Sequence, residues 1–111
     1  QLSEALRRRC LYVYINYPPL EQEIRIVLRK IPGIEKDLAN QIVRFVQKIR
    51  SLNMRKPPSI AETIDWALAL VVLNAQNLSR DTLSSTLNVL LKDREDIERI
   101  MREGYHDQAA G

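Results

Sequence analysis

Three consecutive arginines, Arg7, Arg8 and Arg9, run straight into the apolar stretch Cys10-Leu11-Tyr12-Val13-Tyr14-Ile15. Its aromatic and β-branched residues suit a pleated surface, so the stretch is expected to be a β-strand after a helical turn over Ser3 to Arg9. A strand this apolar needs neighbours at both edges and cover on both faces, because each buried, unpaired backbone group costs about one hydrogen bond. No later segment of the chain offers them, since every later apolar segment repeats at helical spacing. The expectation is that the strand completes a sheet carried elsewhere in a longer polypeptide, of which this chain is the C-terminal piece. Asn16-Tyr17-Pro18-Pro19 ends the strand, because two prolines cannot continue a ladder, and is expected to act as a hinge.

Beyond the prolines the period changes from two to 3.6. Leu20, Ile24, Val27 and Ile31 make one stripe of an amphipathic helix that Pro32-Gly33 breaks. From Ile34, Leu38, Ile42, Phe45, Val46 and Ile49 continue as a second helix, with Glu35 and Asp37 near its positive end and Lys48 and Arg50 near its negative end. The linker Asn53-Met54-Arg55-Lys56-Pro57-Pro58 precedes Ser59, which stands three residues before Glu62 in the pattern of a capping box. The helix that follows, Ile60 to about Leu73, is apolar around much of its circumference, which predicts the central helix of a bundle with Trp66 as core anchor. Asn74-Ala75-Gln76-Asn77 is a turn, and Ser79 is placed to cap a helix with Leu83, Leu87, Leu90 and Leu91 on its buried stripe. A last helix from about Asp93 carries a thin seam of Ile97, Ile100 and Met101, fraying near Gly104, with the residues after 105 expected to lack order. The predicted fold is thus all-α, a four- to five-helix bundle over 19–111, preceded by a leftover strand and hinge in 1–18.

Composition narrows the function classes. A chain of 111 residues suits one domain, and its longest apolar runs fall well short of the roughly 20 residues that span a bilayer. A single cysteine, Cys10, cannot form an internal disulfide, which favours a reducing, cytoplasmic setting. His106 is the only histidine, so zinc-type ligand spacing is absent and no metal site is expected, and no Cys/His nucleophile pair is expected either. None of the three glycines, Gly33, Gly104 and Gly111, sits in a strand-turn-helix context, so the chain has no phosphate-cradling loop of its own. Residues 1–60 carry 12 basic and 5 acidic groups, net +7, and residues 61–111 carry 5 and 9, net −4. Most of the cations alternate with glutamates on polar helix faces, the pattern of a solvated surface, so nucleic acid is not the expected partner. The acids Asp93, Glu95, Asp96 and Glu98 point in several directions at helical spacing and read as surface.

The arginine triplet has two readings. A guanidinium keeps its charge at any accessible pH and presents a planar fork of donors, which suits it to neutralise a nucleotide γ-phosphate during cleavage. Supplied by a neighbouring subunit, such an arginine can be worth a rate factor of about 10³ to 10⁵. The other reading is a basic corner that pairs with acids on an adjoining domain.

The segment Ser3-Glu4-Ala5-Leu6-Arg7-Arg8-Arg9-Cys10 resembles the part of AAA+ ATPases that ends in the arginine finger and enters the last core strand. Pro57-Pro58-Ser59-Ile60-Ala61-Glu62-Thr63-Ile64-Asp65-Trp66-Ala67, together with Leu87 to Asp96, resembles the helical lid of MoxR-type AAA+ proteins. The likeness spans residues 3 to 100. It implies a parent with a nucleotide-binding αβα core upstream, binding ATP and magnesium and assembling into a ring, commonly a hexamer. It also implies that Arg9 is the first candidate for the finger, Arg8 the second and Arg7 the third. Family members often place a second, nucleotide-sensing arginine at the start of the lid helix. Here Ile60 and Ala61 occupy that neighbourhood, leaving Arg55 or Lys56 of the linker to substitute or lid sensing to be weak. The resemblance further implies a chaperone-like remodelling or metal-insertion role, on partners that can carry a von Willebrand factor A domain. On this reading the chain alone neither hydrolyses ATP nor binds it tightly. The alternative is a free-standing helical module that binds nucleic acid or protein.

Overall fold

The computed structural model of the chain describes residues 17–103. These residues fold as α1 (Leu20–Lys30), α2 (Lys36–Arg50), α3 (Ile60–Val72), α4 (Arg80–Leu90) and α5 (Arg94–Glu103), with no strand among the described residues. The expected all-α bundle is the observed class. The anticipated turn over Ser3 to Arg9, the strand Cys10–Ile15 and the tail after 105 lie outside the described residues.

Side-chain caps start α3, α4 and α5. Ser59 caps α3 by accepting from the Glu62 amide at 3.2 Å, and the Glu62 carboxylate returns to the Ser59 amide at 3.1 Å, so the capping box is complete. Ser79 accepts from the Thr82 amide at 3.2 Å at the start of α4. The Asp93 carboxylate accepts from the Asp96 amide at 3.1 Å at the start of α5. At the end of α3 the Ala75 amide reaches back to the Leu70 carbonyl and the Asn74 amide to that of Val71. This pair of bonds requires a left-handed residue, and Asn74, at φ 59°, supplies it with an asparagine in place of the usual glycine. Pro32-Gly33 ends α1, with Gly33 at φ 93°, a conformation that a Cβ would strain. Ile34 and Leu91, read as helical from their spacing, lie just outside α2 and α4 yet are buried, as the pattern required.

Helices α1 and α2 pack on each other and both pack on α3, while α3 also packs on α4 and α4 on α5. Val27, Leu38, Ile42, Phe45, Val46, Ile49, Trp66, Leu70, Leu83, Leu87 and Leu90 form the shared core. Trp66 anchors it: the indole is fully buried, its ring centre lies 5.4 Å from that of Phe45, and its Nε1–H donates to the Thr86 hydroxyl at 2.8 Å. Met54 and Leu78, from connecting segments, complete the core. The expectation of a central α3 needs refinement. It touches three helices, but Leu68, Val72 and Leu73 remain 52%, 74% and 56% exposed, so one apolar side of it is open to solvent.

Candidate functional site

Arg7, Arg8 and Arg9 lie outside the described residues. The structure does describe Tyr17 and Pro18, which follow them in the chain. Arg50, in the last turn of α2, is the only buried lysine or arginine among the described residues. Its position one residue after Ile49, and four after Val46, places it on the apolar stripe, so its charge must be answered inside the protein. The answer comes from α1, where Glu23, fully buried beside Val27, takes both guanidinium nitrogens in a forked pair at 2.8 Å each. Arg50 Nε–H donates to the Pro58 carbonyl at 3.0 Å, and Nη2 reaches the Thr63 hydroxyl at 3.4 Å. The Thr63 hydroxyl in turn donates a hydrogen bond to the Ser59 carbonyl at 2.8 Å. The guanidinium carbon stands 4.0 Å from the centre of the Tyr17 ring. Gln47, one turn earlier on α2, donates to Glu23 at 3.0 Å and to the Pro18 carbonyl at 3.3 Å. Arg50 thus ties together Tyr17, helices α1 and α2 and the start of α3, and Gln47 adds Pro18. The residues expected to be a hinge are, at Tyr17 and Pro18, held against the bundle.

A second cluster fixes the linker between α2 and α3. The Asp96 carboxylate of α5, buried, accepts the backbone amides of Arg55 at 3.0 Å and Lys56 at 2.9 Å. Arg99 donates to the Leu52 carbonyl at 2.9 Å. Asn53 turns the chain at φ 60°. The Arg55 side chain pairs with Asp93 at 3.2 Å and Glu95 at 2.8 Å. Arg55, one of the two linker bases considered as a nucleotide sensor, is therefore engaged by carboxylates, whereas Lys56 is exposed. Beside them a surface cavity of about 410 Å³ is lined by Asn53 and Arg55 together with Glu95, Glu98, Arg99 and Arg102 of α5. Its mixed charges suit neither a free anion nor a cation. Sequence reasoning treated Asp96 as surface, and the missed signal is its spacing one turn before Ile100 on the seam of α5.

Among the described residues no group of His, Cys, Asp and Glu is arranged to hold a metal ion, and no helix is long and apolar enough to cross a membrane. No protein-family model, curated protein or solved structure matches the chain.

Proposed function

We propose that the chain is the finger-bearing end and helical lid of a ring-forming AAA+ ATPase of the MoxR type. In this reading Arg9, with Arg8 as the alternate, reaches ATP bound to the adjacent subunit and neutralises charge that develops on the γ-phosphate. The observation that supports it most directly is the attachment at Arg50. A finger that works in step with a lid needs a firm link between them, and Tyr17, eight residues after Arg9 in the chain, lies against a buried, multiply bonded guanidinium. The sequence order of arginine triplet, apolar stretch, capped helix and acidic last helix supports it as well. ATP and magnesium would be held by the core of the parent, and the ring, commonly hexameric, would work in the cytoplasm on client proteins. Those clients include ones with a von Willebrand factor A domain, with remodelling or metal insertion as the outcome.

The test is alanine replacement of Arg9, Arg8 and Arg7, singly, in the gene product that contains this chain. Arg9→Ala is expected to reduce ATP turnover by about 10³-fold or more while nucleotide binding is retained. Unchanged turnover in all three variants refutes the mechanism. The open apolar side of α3 at Leu68, Val72 and Leu73 favours a second reading, a free-standing protein-binding module. That reading predicts no ATP turnover in the wild-type protein at all.

A further inference from the structure

Arg50 does more than neutralise a buried acid. Its partners belong to segments far apart in the chain: Tyr17 before α1, Glu23 within it, and Pro58 and Thr63 at the start of α3. The guanidinium is planar and its donors have fixed directions. Glu23 grips both terminal nitrogens, so the plane cannot turn about its own axis without breaking that fork. The Tyr17 ring lies against the guanidinium at 4.0 Å, and Nε–H meets the Pro58 carbonyl directly ahead of the Ser59 cap, so the ring and the cap share one side chain. We propose that Arg50 is a coupling joint, a positioning residue through which the Tyr17 ring ahead of α1 stabilises the capped start of α3. The contacts run without a gap from Tyr17 through Arg50 to Pro58 and Thr63, and the coupling they carry is read by perturbing one end and measuring the other. Its consequence for hydrolysis rests on the AAA+ reading above, but the joint itself does not.

The experiment is amide hydrogen exchange on the chain, reading the Glu62 and Thr63 amides, which bond to the Ser59 hydroxyl and carbonyl. Tyr17→Ala removes the stacked ring and leaves the Glu23–Arg50 pair in place. The joint predicts exchange about tenfold faster at Glu62 and Thr63, with no change at Leu83 of α4 or Ile97 of α5, and wild-type rates in Tyr17→Phe, which keeps the ring. No acceleration at Glu62 and Thr63, an equal acceleration at Leu83, or a Tyr17→Phe variant that behaves like Tyr17→Ala overturns it. In the ATPase, Tyr17→Ala is then expected to lower kcat several-fold with KM unchanged. Accelerated exchange with full turnover would remove the role in hydrolysis and leave the joint standing.

Discussion

Replacing Arg50 with methionine is the perturbation with the largest expected effect on the bundle. Methionine fills much of the same volume along the apolar stripe, so the cost comes from unmet polar groups and not from a cavity. The Glu23 carboxylate, fully buried, would lose both 2.8 Å bonds and keep only the Gln47 amide at 3.0 Å. The Pro58 carbonyl would lose its 3.0 Å donor, and the Tyr17 ring its cation. Removing one member of a buried ion pair typically costs about 3–5 kcal/mol, because the other charge is left without compensation. For a domain of this size each kcal/mol lowers Tm by roughly 4–8 °C, so a fall of about 12 °C or more is expected. The informative comparison is the double variant Glu23→Leu with Arg50→Met, which removes both charges together. It should be markedly more stable than Arg50→Met alone, since an apolar replacement of a whole buried pair is often neutral. Urea unfolding followed by circular dichroism measures both. A cost below about 1 kcal/mol for Arg50→Met, or a double variant no more stable than the single, would refute the claim that Glu23 is a buried charge dependent on Arg50.

Three further outcomes are expected from the same unfolding measurements. Ser59→Ala removes the side chain that accepts from the Glu62 amide and should cost about 1 kcal/mol, whereas Ser59→Gly should cost only a few tenths more than wild type. Asp96→Ala strips two linker amides of a buried acceptor and should cost about 1–3 kcal/mol, with faster exchange at Arg55 and Lys56 as its local signature. Leu68→Glu combined with Val72→Lys, on the open side of α3, should change stability by less than about 1 kcal/mol. A large loss there would mean that this side is covered.

Helix positions were legible in the sequence from an apolar stripe at 3.6 spacing, joined at α3 and α4 by a capping residue ahead of it. Ser59 with Glu62, Ser79 before Leu83, and Pro32-Gly33 after Ile31 each marked a boundary that the structure keeps within a residue or two. Burial outside helices was not legible, since Met54 and Leu78 sit in connecting segments where periodicity carries no information. The Glu23–Arg50 junction was missed for a different reason. Arg50 was read as a charge suited to the helix dipole and Glu23 was not singled out, yet Glu23 falls three residues after Leu20 and four before Val27, and Arg50 four after Val46. A charge on each of two facing apolar stripes was the available signal, but pairing them required knowing that α1 and α2 lie side by side. The opposite case is α3, whose largely apolar circumference predicted the central helix, while Leu68 and Val72 are exposed. The finger candidates, Arg7 to Arg9, were legible as chemistry, with their surroundings outside the described residues.

The central claim is that Arg9 acts on the nucleotide of a neighbouring subunit, and subunit mixing tests it most directly. An Arg9→Ala subunit has an intact nucleotide site and no finger, and a subunit with a disabled nucleotide site still carries Arg9. Neither should turn over ATP alone. Mixed in equal amounts, they should recover about one quarter of wild-type turnover, the chance under random assembly that an intact site faces an intact finger. Absence of any recovery in mixed assemblies would contradict the account.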